Sequence, residues 1–231
     1  DLVFDATGRL WIATNQGLFS LENGQIVDKS QAFGLEKKTI NCLFASKNGQ
    51  LWLGSGSGLM RCQPKGSGWV VTQMGIVDRA MRNAITCIAE DKKGLMWFGT
   101  YGDGLYCLPN GQQPFRIDLQ RELYKTSVFD IFFDKEGICW ISTLNKGVVQ
   151  YNTVTKSFTQ YDQRQGMSNN HVRCSFQDNS GTLWFGTSGG GVCQFNGSPF
   201  THYTKESGLG GNFVYSIHRD MQKRLWVGTS Q

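Results

Sequence analysis

Several features that would assign the chain to other protein classes are scarce or missing. Four prolines and three histidines occur among 231 residues, and no apolar run approaches the length of a transmembrane helix. No signal peptide is visible, and no CxxC pair suggests a metal site. Apolar residues rarely recur with the helical period of 3.6. We therefore expect neither long helices nor a bound metal or other cofactor.

The charge of the chain is also low and evenly distributed. The formal net charge is +5, and charged residues make up 18% of the sequence. Lysines and arginines are scattered, and no basic stripe interleaved with aromatic residues is present. Such a stripe is the usual footprint of a nucleic-acid-binding surface, so binding to nucleic acid is not expected.

Glycine, by contrast, is abundant, and it recurs within a repeated phrase. The stretch DNSGTLWFGTSGGGV, residues 178–192, has five further copies, each anchored by a tryptophan. Successive anchors are separated by 41, 45, 43, 44 and 42 residues. A period in the low forties with one aromatic motif per repeat is typical of propeller blades. The anchoring residues are Trp11, Trp52, Trp97, Trp140, Trp184 and Trp226.

Each repeat is predicted to form four short antiparallel strands. Within residues 127–161, SVFDIFF, ICWIST, VVQYN and SFTQYD are separated by short turn segments. The predicted fold is an all-β propeller, treated as one domain over residues 1–231. Its blades are expected at about 1–35, 36–78, 79–122, 123–166 and 167–210, with a partial blade at 211–231. The ends supply only parts of blades, so we expect an incomplete part of a propeller of about seven blades, or ends that combine into a closing blade.

Small residues at fixed places in the motif have structural explanations. A glycine precedes five of the anchoring tryptophans by three residues, where a hairpin turn needs positive φ. The last copy has Lys223 there, so its turn is expected to differ. Two residues after the tryptophan, a small residue such as Gly186 suggests close packing of a neighbouring blade. No helix follows these glycines, so a phosphate-binding loop is not expected.

The seven cysteines form an odd number, which argues against a complete disulfide framework. Three lie ten residues before their tryptophan, on the predicted first strand, and three lie nine or ten residues after theirs, on the third strand. First and third strands of one blade are about 9–10 Å apart, beyond the reach of a disulfide. The thiols are therefore expected to be buried and reduced. The six are Cys42, Cys87, Cys174, Cys62, Cys107 and Cys193.

The motif resembles the two-component regulator propeller repeat, whose pattern is D-x-x-G-x-L-W-h-G-T followed by a second glycine turn. The fifth copy fits that pattern position by position. The resemblance covers essentially the whole chain. The matching residues of that copy are Asp178, Gly181, Leu183, Trp184, Gly186, Thr187, Gly191 and Val192.

The resemblance implies an extracytoplasmic sensor. Propellers of this family form the periplasmic sensing part of hybrid histidine kinases, sensor kinases or diguanylate cyclases, and they often report on carbohydrate fragments. We expect this segment to bind a small polar ligand such as an oligosaccharide and to have no enzymatic activity of its own. The resemblance further implies a membrane-anchored parent protein that carries a kinase or cyclase. A homodimer is a further expectation.

Two other functions remain open. A rigid propeller face also suits a scaffold for protein partners. A lyase-type propeller enzyme would use a histidine base with a metal, and His171 is the candidate base. A sialidase is less well matched, because the spacing between Asp and Gly in this motif is one residue longer than in the sialidase Asp-box.

The predicted ligand face consists of two sets of loops that open on the same side. One set joins the fourth strand of a blade to the next blade, and the other joins second to third strands. Asparagines that recur in register, namely Asn83, Asn170 and Asn212, are expected chiefly to bond turn backbone. The candidate ligand contacts are Arg82, Tyr101, Asp103, Tyr124, His171, Asn170, Lys38 and Asn145.

Overall fold

The computed structural model of the chain describes residues 1–66, 68–74, 84–109, 112–118, 124–197 and 199–230. The fold is all-β, as predicted, and its sheets are propeller blades with antiparallel strands in chain order. The chain divides into two compact units, Asp1–Ile117 and Asp118–Gln231. No helix in the described part of the chain is long and apolar enough to span a membrane.

The unit Asp1–Ile117 contains three four-stranded sheets and the one-turn helix α1, Ser30–Phe33. The first sheet comprises β1 (Leu2–Phe4), β2 (Leu10–Thr14), β3 (Gly17–Glu22) and β4 (Gln25–Asp28). The second comprises β5 (Ile40–Ala45), β6 (Leu51–Ser55), β7 (Gly58–Lys65) and β8 (Gly68–Gln73). The third comprises β9 (Ile85–Glu90), β10 (Met96–Thr100), β11 (Leu105–Leu108) and β12 (Phe115–Arg116).

The unit Asp118–Gln231 contains two four-stranded sheets and one two-stranded sheet. The first comprises β13 (Val128–Phe133), β14 (Cys139–Thr143), β15 (Val148–Tyr151) and β16 (Phe158–Tyr161). The second comprises β17 (Val172–Gln177), β18 (Leu183–Thr187), β19 (Val192–Phe195) and β20 (Phe200–Tyr203). The last comprises β21 (Val214–Arg219) and β22 (Leu225–Thr229), and 3₁₀ turns lie at Gln163–Gln165 and Lys205–Ser207.

The core of each unit lies where the faces of successive sheets meet. In the first unit, Trp11 packs edge-on against Trp69 at a ring distance of 5.5 Å, so the half-buried tryptophan outside the repeat register packs against the core. In the second unit, Trp140 packs against Phe185 and Phe195. Burying large aromatic rings stabilises small sheets that could not fold alone.

The motif aspartate forms a brace that the sequence did not reveal. In five repeats one carboxylate oxygen accepts the backbone N–H four residues later, and the other accepts the indole N–H of the anchoring tryptophan. The indole bonds are 2.8–3.2 Å long. The brace joins turn and strand through a single side chain. It consists of the pairs Asp5–Trp11, Asp91–Trp97, Asp134–Trp140, Asp178–Trp184 and Asp220–Trp226.

The expectations for the turn at Lys223 and for the packing at Gly186 have different outcomes. The expected turn difference at Lys223 is wrong, because Lys223 adopts φ of 68° and repeats the turn bond seen at Gly181. The strain of about 1 kcal/mol for a non-glycine residue there is offset by the bonds that Asp220 accepts from this turn. The close packing at Gly186 is confirmed, since a β-carbon there would lie 2.6 Å from Val214 Cγ1.

The six cysteines lie on the predicted first and third strands, and Cys139 lies on β14. Cys42 and Cys62 are buried, and Cys174 is half-buried. Burial raises the pKa of each of these three thiols to about 12. A thiol with so high a pKa is a poor nucleophile, so these side chains act as small packing residues.

Candidate functional site

The predicted ligand contacts of the first unit have different surroundings. Tyr101 is exposed on the turn between β10 and β11. Asp103 is buried, and its carboxylate pairs with Arg116 at 2.6 Å and accepts the hydroxyl of Tyr106. Because both oxygens are engaged, Asp103 acts as an internal anchor of its sheet. The exposed Lys38 donates to the Gly34 carbonyl oxygen at 2.9 Å. Arg82 and Asn83 lie outside the described residues.

The predicted contacts of the second unit also differ in role. Tyr124 and Asn145 are exposed. The side-chain oxygen of Asn170 accepts the Gln163 N–H at 2.7 Å, and its backbone carbonyl oxygen accepts the Gly147 N–H. Asn212 repeats this arrangement with the Lys205 N–H at 2.6 Å. The structural role expected for the recurring asparagines is therefore confirmed at both positions.

One cluster in the second unit combines aromatic, cationic and hydroxyl groups. Its members lie on the first strands of successive sheets and beside them, and it includes the predicted residue His171. The members are Phe129, His171, Arg173, Ser188, Phe213 and Tyr215. We call this set the bulge cluster.

Three members of the bulge cluster owe their placement to a repeated backbone irregularity. The register between first and second strands slips by one residue at Phe129, Arg173 and Tyr215. Each of these residues stands eleven positions before its anchoring tryptophan. A bulge leaves its extra residue unpaired and redirects its side chain, and bulges are common next to binding sites. Since β17 contacts both β13 and β21, the three side chains converge.

Arg173 is the centre of the cluster. Its guanidinium lies 5.4 Å from the ring centres of both Phe129 and Tyr215, and its Nε donates to Ser188 Oγ at 2.7 Å. Among the described residues, no carboxylate lies within ion-pair distance of it. Its cation is therefore fixed by two rings and a hydroxyl, while its charge lacks a counterion in this part of the chain.

His171 also packs against Phe129. The two rings are stacked with centres 5.5 Å apart and planes inclined by 6°. Its Nε2 is buried without a partner among the described residues. Burial lowers the pKa of His171, and the nearby charge of Arg173 lowers it further. The imidazole is therefore held in its neutral form at neutral pH.

Two aromatic members expose much of their surface. Tyr215 is 56% exposed and Phe213 is 51% exposed. Phe213 is fixed beside Ser188 by an antiparallel bridge. Asp130, which follows Phe129 in the sequence, accepts the backbone N–H and the hydroxyl of Ser175, both at 2.6 Å, and burial raises its pKa. The site thus presents exposed rings and a fixed cation. Hydrogen bonds between Asp130 and Ser175 join the neighbouring strands β13 and β17 beside it.

A family model and one curated relative match parts of the chain. The family model for the two component regulator propeller matches residues 81–102, 166–189 and 208–231. The chain is 30% identical over 80 residues to histidine kinase P4 of Formosa agariphila, covering 33% of this chain and 6% of that protein. It thus spans a small part of this relative, and about a third of the first similar structure described below.

Solved structures share the fold at low sequence identity. The extracellular domain of hybrid two component system BT3049 from B. thetaiotaomicron aligns with a TM-score of 0.84 and 20% identity, over 99% of this chain and 32% of that one. Virginiamycin B lyase from Staphylococcus aureus aligns with a TM-score of 0.76 and 14% identity, over 98% of this chain and 75% of that one. At these identities the alignments establish the propeller fold.

Proposed function

We propose that this chain, which belongs to the two-component regulator propeller repeat family, is the ligand-binding part of an extracytoplasmic sensor. Two relatives support this role, because one is a histidine kinase and another is an extracellular domain of a two component system. The observation within the chain that carries the proposal is the Arg173 guanidinium, which is oriented by Ser188 and lacks a counterion among the described residues.

The proposed ligand is an oligosaccharide that carries a carboxylate, such as a uronic acid unit. A guanidinium forms paired hydrogen bonds with a carboxylate, and aromatic rings offer flat apolar surfaces to the carbon faces of a sugar. Tyr215 and Phe213 supply exposed rings beside Arg173. A neutral sugar of the same length would use the rings alone and would bind more weakly.

Isothermal titration of uronate oligosaccharides, with neutral oligosaccharides of equal length beside them, tests this proposal. We expect Arg173→Gln to weaken uronate binding at least about tenfold, since it removes a charge-assisted interaction, and to leave neutral sugars little affected. The matched control is Arg164→Gln, because Arg164 is exposed and already paired with Asp162. Equal affinity of the unmutated protein and Arg173→Gln for every uronate would refute the proposed site.

The loop residues expected from the sequence supply a second comparison. Tyr101 is exposed in the other compact unit, far along the chain from Arg173. If Tyr101→Ala weakens uronate binding and Arg173→Gln does not, the ligand face lies on the loops. We expect the opposite pattern.

A lyase is the second candidate function, because His171 is neutral and its Nε2 has no partner among the described residues. Such a nitrogen can accept a proton, and a lyase shares this fold. The sensor proposal is preferred because Nε2 is buried and the ring is stacked on Phe129, which restricts access to a substrate. Chromatography with tandem mass spectrometry of virginiamycin B incubated with the protein tests the alternative, which requires a new product that His171→Ala abolishes.

Signal output is proposed to reside elsewhere in the parent protein. We place the propeller on the extracytoplasmic side and a kinase or cyclase beyond the membrane. The reading frame of the parent gene provides the direct test, since it must encode a transmembrane segment and a transmitter domain. A parent that encodes only propeller repeats would favour a scaffold for protein partners instead.

A further inference from the structure

The second repeat lacks the carboxylate brace, because Ser46 stands where the other five repeats have aspartate. Part of the missing function is replaced locally. The Asn48 side-chain oxygen accepts the Gln50 N–H at 3.2 Å, and the Ser46 hydroxyl donates to Asn48. Nothing replaces the second carboxylate oxygen, so the Trp52 indole N–H is buried without a partner among the described residues. Trp52 itself is 4% exposed.

A second unpartnered donor lies directly opposite Trp52. Arg61 on β7 is the register partner of Trp52 on β6, so the two side chains share one face of the sheet. The Nε of Arg61 is likewise buried without a partner among the described residues. At this position the other four-stranded sheets carry neutral residues, namely Ser20, Cys107, Gln150 and Gln194. Among the four-stranded sheets, the one without the motif aspartate therefore carries a cation opposite its tryptophan.

These two residues line a cavity of about 250 Å³ within the first compact unit. Among the described residues, its polar lining groups are amides, a guanidinium and an indole, without a carboxylate. The residues that supply these groups are Asn48, Gln50, Trp52, Arg61 and Gln112. Glu90 has an unpartnered carboxylate oxygen, but it does not line the cavity and forms no ion pair with Arg61.

We propose that this cavity binds the carboxylate of a small organic acid, which takes the place of the missing aspartate. One carboxylate oxygen would accept the Trp52 indole N–H, as Asp134 does for Trp140 at 2.8 Å in the fourth repeat. The other would pair with the Arg61 guanidinium. Neither nitrogen is open to solvent in the structure, so entry of the anion requires rotation of the flexible Arg61 side chain. Burying an unpaired donor is costly, and this cost favours occupancy.

The indole N–H resonances of the seven tryptophans provide the readout for this proposal. Acetate is titrated at constant ionic strength against chloride, and the Trp52 resonance is assigned with Trp52→Phe. We expect a saturable downfield shift of the Trp52 proton alone, because it gains a charged acceptor. A Trp52 resonance that does not respond to acetate overturns the proposal. A water molecule already bound at the site would not change this conclusion.

Two substitutions make the test specific, and both use residues that other repeats already carry. Ser46→Asp restores the internal acceptor, so its Trp52 resonance should start downfield and should not respond to acetate. Arg61→Gln should weaken acetate binding about tenfold, since it removes a charge-assisted bond. Equal responses in the unmutated protein and Ser46→Asp would refute the proposal. Arg173→Gln should leave the acetate response intact, so failure of the uronate site and failure of this site are separable.

Discussion

The repeats around Trp140 and Trp52 differ in the side chains that accept hydrogen bonds from the turn and from the tryptophan. Around Trp140, the two oxygens of Asp134 bind the turn N–H of Ile138 and the indole N–H. Around Trp52, an asparagine two residues further along takes over the turn N–H, and the indole N–H remains unpaired. The turn bond can thus be supplied by an oxygen at a neighbouring position, whereas the aspartates that join turn and tryptophan use both of their carboxylate oxygens.

The largest expected effect comes from converting the fourth repeat into the second. Asp134→Ser removes both bonds of a buried carboxylate and leaves the indole N–H of Trp140, which is 2% exposed, without an acceptor. We expect the free energy of unfolding to fall by about 3 kcal/mol, given the cost of an orphaned donor and the loss of a charged bond. Urea unfolding measures it.

A small loss of stability in Asp134→Ser would contradict the prediction. A loss below about 1 kcal/mol, in the range of an ordinary exposed bond, would mean that the brace does not stabilise the blade. The comparison between the two repeats would then have no energetic meaning. The fluorescence of the remaining tryptophans shows whether the variant keeps its fold.

Converting the second repeat into the fourth should have the reverse sign and a smaller size. Ser46→Asp supplies an acceptor for the Trp52 indole N–H, while the Gln50 N–H already has Asn48. Only one new bond is gained, so the free energy of unfolding should rise by about 1 kcal/mol. Ser46→Ala is the control, since it removes the hydroxyl without adding an acceptor. A destabilised Ser46→Asp protein would contradict the assigned role of the missing carboxylate.

The sequence predicted the fold well because its signal is periodic. The anchoring tryptophans mark each second strand, and the turns between strands follow from the residues around them. Lys223 was misjudged because residue type alone suggested a different turn, whereas the bonds that Asp220 accepts hold the usual one.

The candidate site was predicted only in part. His171 was expected, but Arg173 and Tyr215 were not, because they lie within strands rather than in loops. Their exposure depends on a one-residue register slip between paired strands, which is a property of the hydrogen-bond ladder. The spacing of eleven residues before each tryptophan was the available signal. The sequence predicts Asp103 as a ligand contact in a turn, whereas its buried carboxylate pairs with Arg116, thirteen residues later.

Lowering the pH should reduce the stability contributed by the aspartate brace, and a variant without one brace should lose less. Burial of Asp178 raises its pKa, but bonds from the side chains of Ser180 and Trp184 and from turn N–H groups outweigh this and hold the pKa below 3.8. A depressed pKa contributes stability that is complete above 3.8 and is lost as the pH falls through the folded value. The urea midpoint should therefore fall less steeply below pH 3.8 in Asp178→Asn than in the unmutated protein. Parallel curves would exclude a contribution from this carboxylate.

The smallest expected effect comes from the same substitution in the last repeat. Asp220 accepts the indole N–H of Trp226 at 2.8 Å, the same length as the bond between Asp134 and Trp140. Trp226 is 56% exposed, however, so water can replace the lost acceptor. We expect Asp220→Ser to lower the free energy of unfolding by about 0.5 kcal/mol, the lower end for an intramolecular hydrogen bond. The indole bond length and the substitution are matched, and the additional ion pair between Asp220 and Arg224 is an exposed one of small worth, so the difference from Asp134→Ser chiefly measures the effect of burial. Equal losses in the two variants would show that the turn bond, rather than the unsatisfied indole N–H, accounts for the energy, and they would remove the energetic reason for expecting an anion beside Trp52.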